Sequence, residues 1–257
     1  MTRTKVGVQL HPQGATMATL RQAWRDLDGL EVGGRHLDSL WVWDHFYPLY
    51  GDPDAMHYEG WTTLAAMAAD TRHVRVGTLV SSVGYRNPEL LADMARTLDN
   101  LTDGRLYLGI GAGWFERDYE EYGYEFGTAP SRLQDLRAAL PRIKARLGKL
   151  MPPPYDLPIL VGGRGEKVTL RLVAEYADAW NTFGPPDEYA RLSAVLDGHC
   201  AAIGRDPAAI ERTCLVSGPE ELDRWDDYVA AGVTHLLVGG QAPFDLAIAR
   251  RLLELSV

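Results

Sequence analysis

Residues 74–111 read VRVGTLVSSVGYRNPELLADMARTLDNLTDGRLYLGIG. The stretch opens and closes on short apolar runs, 74–80 and 106–111. Runs that are apolar almost throughout suit strands of a parallel sheet covered on both faces. Between them, Asn87-Pro88 supplies a cap followed by proline at the first helical position. Leu90, Leu91, Met94, Leu98 and Leu101 then recur at helical spacing over 88–101. Strand, helix and strand in this order form the repeating unit of a parallel α/β fold.

The unit recurs from end to end. Further strands are predicted at 5–10, 39–43, 158–162, 179–182, 212–217 and 235–239, which brings the number to eight. Helical patterns occupy 16–31, 60–70, 131–150, 166–178, 187–203, 219–231 and 244–255. Eight β/α units in 257 residues have the size of one (β/α)8 TIM barrel, a single domain over 1–257. An open doubly wound sheet shares the alternation and stays the alternative.

Bulk composition narrows the partners. The net charge is −9 and no run of Lys or Arg appears, which argues against a nucleic-acid surface or an acidic membrane. No apolar run approaches the roughly 18 residues of a membrane span. Cys200 and Cys214 are too few for a disulfide scaffold or a thiolate metal cage. A cytoplasmic protein acting on a small molecule is the expectation.

In a barrel, chemistry collects where the strands end. The first strand runs into His11, and the second stops at Asp44-His45. Imidazole is the side chain best suited to proton transfer at physiological pH, so His45 is a candidate; capping of the strand end is the structural alternative. The fourth strand ends in Gly109-Ile-Gly-Ala-Gly113, which departs from a dinucleotide fingerprint because its third glycine falls one residue early. After the fifth strand, Gly162-Gly-Arg-Gly-Glu166 precedes a helix, with Arg164 and Lys167 beside free backbone NH groups. That loop reads either as a phosphate cradle or as a connection that needs glycine for close packing. Gly239-Gly240, after the eighth strand, competes for the phosphate. The seven histidines show no HxH or HExxH spacing, so no metal site is expected.

Three pieces of the chain carry a resemblance to a known family: SLWVWDHF (39–46), residues 74–119, and PILVGGRGEKVTLRLVAEYADAWN (158–181). A weaker match follows at AAIGRDP (201–207). The chain resembles the bacterial luciferase-like flavin/deazaflavin family, most of all the branch that uses coenzyme F420. The resemblance implies a TIM barrel, a homodimer and an F420-dependent oxidoreductase that passes a hydride between the deazaflavin and a small organic substrate. It implies that His45 lies near the deazaflavin ring as a cofactor contact; we assign His45 the further role of proton donor, with Asp44 orienting it. It also implies a non-proline cis peptide at about Leu79-Val80, in a bulge that backs the ring, with Ser81 beside it. Cofactor contacts on the phosphate side would come from Gly111, Ala112, Gly113 and Trp114, and from Gly162, Gly163, Arg164, Gly165 and Glu166.

Two departures accompany the match. Where related F420 enzymes carry an acidic residue after the strand-four glycines, this chain has Trp114, and the next carboxylate, Glu116, is the candidate left for that role. The segment 147–158, before the fifth strand, is shorter than the usual family stretch, and a reduced lid there would leave an open pocket. A reduced-FMN monooxygenase on the same barrel, and a flavin- or F420-binding protein without catalysis, are the alternatives.

Overall fold

The computed structural model describes residues 3–257. Eight parallel strands follow one another around a closed barrel, and β8 pairs with β1. They are β1 (Lys5–Leu10), β2 (Ser39–Asp44), β3 (Arg75–Ser82), β4 (Leu106–Gly111), β5 (Ile159–Gly162), β6 (Ala179–Thr182), β7 (Glu211–Val216) and β8 (His235–Gly240). The helices outside are α1 (Met17–Gly29), α2 (Gly60–Asp70), α3 (Pro88–Leu101), α4 (Glu116–Tyr122) and α5 (Ala129–Leu147). They continue with α6 (Thr169–Tyr176), α7 (Pro186–Ala202), α8 (Trp225–Ala230) and α9 (Leu246–Leu255). The TIM barrel anticipated from the repeat is therefore the fold, and the open sheet is not.

Local sequence accounts for the elements. Asn87 caps α3 by accepting from the backbone NH groups of Glu89 and Leu90, and Pro88 stands at its first position. Helix α4 escaped the reading because its sequence, ERDYEEY, has no apolar stripe. Its two buried residues, Asp118 and Tyr119, face the strand ends instead. The pattern over 219–231 divides into a 3-10 turn at Pro219–Arg224 and the short α8.

Strand alternation sorts side chains between two apolar layers. Trp41, Leu79, Tyr107, Leu160, Ala179 and Leu237 fill the barrel interior. Leu40 and Val42, their neighbours along β2, join the larger layer between the wall and the helices. At the N-terminal end a polar chain, running from the half-exposed Lys5 to the buried Ser39, closes the floor. Lys5 donates to Glu211, whose other oxygen bonds His235 at 2.5 Å, and the far nitrogen of His235 pairs with Ser39 at 2.8 Å.

The segment preceding β5 corrects one expectation. Asp99 accepts from the Tyr155 amide, Arg75 pairs with Asp156, and Tyr155 packs over Gly104. These contacts hold residues 148–158 at the N-terminal end of β3 and β4, opposite the mouth at the C-terminal ends of the strands. A connection from helix to strand necessarily lies at that end, so its length has no bearing on how open the pocket is.

Candidate functional site

The centre of the site is a bulge in β3. Pairing of β3 with β4 skips from Gly77 to Ser81, and the Leu79-Val80 peptide between them is cis, as the resemblance implied. Gln9 of β1 donates to the Leu79 carbonyl at 2.6 Å, which satisfies a backbone acceptor that has left the ladder. The Val80 side chain occupies space that glycines leave open. A Cβ on Gly111 would come within 2.9 Å of Val80 Cγ2, and one on Gly162 within 3.0 Å of its Cγ1. A Cβ on Gly109 would lie 1.9 Å from the Thr78 carbonyl oxygen. Of the glycines that suggested half a nucleotide fingerprint, Gly109 and Gly111 are therefore there to admit the bulge, while Gly113 makes room for the Tyr119 and Ser82 hydroxyls.

Above the bulge opens a cavity of about 490 Å³ at the C-terminal mouth. His45, Leu79, Val80, Gly111, Ala112, Gly113, Trp114, Gly162 and Gly163 line it, as do Gln9, His11, Trp43, Ser82, Tyr85, Thr169, Asn181, Thr182, Phe183 and Leu215. Among the described residues no lysine or arginine is in its wall. The Thr182 hydroxyl is buried with no hydrogen-bond partner among the described residues, and Asn181 Oδ1 accepts from the Thr213 hydroxyl. An apolar slot with a few hydroxyl and amide groups suits a planar heterocycle with a polar edge.

His45 is held by Asp118 of α4. Its Nδ1 lies 2.6 Å from Asp118 Oδ2, and the same carboxylate accepts from Tyr85 and from the amides of Phe46 and Tyr47. Burial alone would raise the Asp118 carboxyl, but the hydrogen bonds from His45 and Tyr85 bring it net below its ordinary value. Burial and the adjacent Asp118 charge push the Tyr85 phenol well up, so it remains a donor. A carboxylate that only accepts requires the proton on His45 Nδ1, which leaves Nε2 as the atom that can exchange a proton with a substrate. Trp114 and Phe115 set their rings edge-on to the imidazole at 5.7 and 5.6 Å.

Asp44 does not orient His45. It is fully buried on the outer side of β2, where Arg86 grips both of its oxygens at 2.5 and 3.0 Å. Burial raises its carboxyl above the usual range, against the pull of Arg86. Arg86 also reaches Glu59, the N-cap of α2, so Asp44 ties the end of β2 to α2. Successive residues of a strand point to opposite faces, which explains why these neighbours part.

Other anticipated residues lie outside the cavity. Ser81 is buried behind the bulge, accepting from Trp61 Nε1. Glu116 is exposed at the start of α4, away from the cavity wall. Arg164 pairs with Glu188, Glu166 pairs with Arg191, and Gly165 packs against Thr169. Reading the sequence passed over Asp118, Gln9 and Trp43. Period-two spacing from Trp41 through Trp43 to His45, and from Gly7 through Gln9 to His11, is the signal that finds the latter two; nothing local singles out Asp118 among the acids of α4.

The sequence model of the family described as luciferase-like monooxygenase matches residues 2–231. A phthiodiolone/phenolphthiodiolone dimycocerosates ketoreductase of Mycobacterium tuberculosis is 31% identical over 247 residues, covering 80% of this chain and 64% of the relative. The chain thus spans somewhat less than two thirds of that relative's length. An F420-dependent secondary alcohol dehydrogenase, solved with an F420-acetone adduct, superposes with a TM-score of 0.83 at 18% identity, covering 100% of this chain and 98% of the other. The coenzyme F420-dependent tetrahydromethanopterin reductase of Methanopyrus kandleri gives 0.75 at 14% identity, covering 100% and 99%.

Proposed function

We propose, from the premise that this chain belongs to the luciferase-like monooxygenase family, that it is an F420-dependent oxidoreductase interconverting a carbonyl compound and an alcohol. The observation that carries the reading is the His45–Asp118 pair, which presents one free imidazole nitrogen at the mouth of a cavity built for a flat ring. The family, the ketoreductase relative and the F420 enzymes of the same fold support it.

The residues present fit the cofactor. The bulge at Leu79-Val80 would back the ring, and Thr182, Asn181 and Ser82 would meet its polar edge. Helix α6 opens without a side-chain cap and with Thr169 in the cavity wall, so its first turn would receive the phosphate. The competing loop after β8 is poorer for an anion, because Asp245 caps α9 with its own carboxylate. When bound and reduced, F420 supplies a hydride. In carbonyl reduction the C=O π bond is replaced by a C–H bond, and His45 Nε2 delivers the proton that completes the new O–H bond. Alcohol oxidation runs the same steps backwards, with Nε2 taking the hydroxyl proton. Asp118 keeps the imidazole in the one tautomer and orientation that permits this. Homodimeric assembly and a cytoplasmic location belong to the same reading; among the described residues no helix is long and apolar enough to cross a membrane.

Titration with F420 and with FMN, followed by mixing the reduced complexes with a ketone or with oxygen, tests the proposal. F420 binding with ketone-dependent reoxidation is expected. Tight FMN binding with oxygen uptake and none for F420 would overturn it in favour of a monooxygenase, and F420 binding without turnover of any acceptor would indicate a carrier.

A further inference from the structure

A second cavity, of about 600 Å³, opens on the opposite side of the wall formed by β1, β7 and β8. Val8, Leu10, Val216 and Val238 line it from the strands, and Ile248 and Ala249 from α9. The four strand residues belong to the outer apolar layer, so this space lies between the barrel and its helical jacket. It meets the inner cavity at the rim, where His11, Phe183 and Leu215 line both.

The chemistry of the lining selects an occupant. Among the described residues, Asp245 and His11 are its ionisable side chains, apart from the Tyr50 phenol, and no lysine or arginine is present. Asp245 Oδ1 already accepts from the Ala247 amide at the start of α9, which places negative charge where an anion would otherwise bind. The occupant is therefore apolar. The junction itself is polar on one side: His11 stacks on Trp43 at 4.3 Å, its Nδ1 pairs with Tyr50 at 2.6 Å, and its Nε2 has no partner among the described residues. A Cβ on Gly239 would come within 3.3 Å of that nitrogen, so glycine keeps the passage at the rim clear. Trp43 also stands edge-on to His45, at 6.1 Å, so the two imidazoles flank one indole between the cavities.

We propose that the outer cavity seats the apolar arm of the substrate whose oxygen-bearing carbon is presented to His45, making the protein selective for ketones or secondary alcohols with a medium-length aliphatic chain. The assignment of the occupant as substrate rests on the reading of the inner cavity as the hydride-transfer site. The arm passes over the rim at Leu215 and Phe183, with His11 beside the polar end.

Fluorescence titration of the full chain with 2-alkanones, from acetone to 2-decanone, tests this without requiring turnover. Burial of each methylene should tighten binding about fourfold until the cavity is filled. Ala249→Trp fills the cavity and should abolish that gain while leaving acetone binding and F420 affinity unchanged. Ile248→Trp, at a half-buried position, does the same if the first variant is unstable, and a melting temperature for each confirms the fold. No dependence on chain length in the wild type, or a dependence that survives in a folded tryptophan variant, overturns the proposal. Chain-length-dependent binding in a protein that takes no F420 would uphold the apolar site and overturn only the hydride-transfer reading.

Discussion

Asp44 and Asp118 are both fully buried, yet it is Asp118, and not the expected Asp44, that holds the His45 imidazole. The difference lies in what surrounds each carboxylate. Asp44 is neutralised by Arg86 and acts as a fastening for the end of β2, whereas Asp118 receives four donors, one of them His45. On this basis His45→Ala should lower kcat by roughly 10²- to 10³-fold with a small change in melting temperature. Asp118→Asn keeps an acceptor but turns an amide NH2 toward donors, which costs about 1–3 kcal/mol of stability. It should also lower kcat while F420 affinity stays near wild type. As a positioning residue, Asp118 has a signature that packing alone would not produce: nitrogen-15 shifts of His45 should move from a single Nδ1–H tautomer to a mixture in the variant. An unchanged tautomer with unchanged kcat would remove Asp118 from the mechanism.

At the level of elements, β3, β4 and β5 form one device. Val80 leaves the ladder, and Gly109, Gly111 and Gly162 leave the room it needs. Gly111→Ala should therefore destabilise the fold by about 1–3 kcal/mol through overpacking against Val80. Combined with Val80→Ala, the penalty should be less than the sum of the two single changes, by at least about 0.5 kcal/mol in denaturant unfolding. Strict additivity would mean that glycine and bulge are not coupled. The β5–α6 loop has its own glycine requirement: Gly163 has φ +135°, and a Cβ there would come within 3.1 Å of Thr169. Gly163→Val should weaken F420 binding at least tenfold, as measured by titration, because it displaces the loop and the start of α6 together.

Across the whole molecule, the mouth and the floor of the barrel each bury titratable groups, and both act on acid stability. Burial lowers His11 and His57 to about 4 from an ordinary 6.5. The unfolded chain thus takes up protons between those values that the folded barrel refuses. Stability is complete above pH 6.5 and falls as the pH drops toward 4, with a slope of about 1.4 kcal/mol per pH unit for each refused proton. Burial opposes ionisation of Glu211, but its bonds to His235 and Lys5 win and bring it to about 2, so its contribution is complete above 4.5 and is lost as the pH falls toward 2. Denaturant midpoints at pH 7.5, 5.5 and 3.5 should decline in two stages. His57→Gln, which still accepts from Trp43, should flatten the upper stage and leave the lower one; an unaltered upper slope would show that His57 is not among the groups responsible.

How much of this was legible in the sequence follows the range of the forces involved. Period-two and period-3.6 patterns are local consequences of backbone geometry, so repetition of the unit seen in residues 74–111 determined the eight strands and most of the helices, while closure into a barrel was favoured by the count and decided by the tertiary structure. The place of His45 at a strand end followed from the same register. What only the tertiary structure decided is which distant groups meet there. Asp118 reaches His45 across 73 residues of chain, Gln9 reaches the bulge across 70, and Asp44 turns outward to Arg86. Those pairings depend on strand alternation and on closure of the barrel, which bring together side chains that no local pattern relates. The physical reason is that burial makes each polar group find a partner, while the fold determines which partners are within reach.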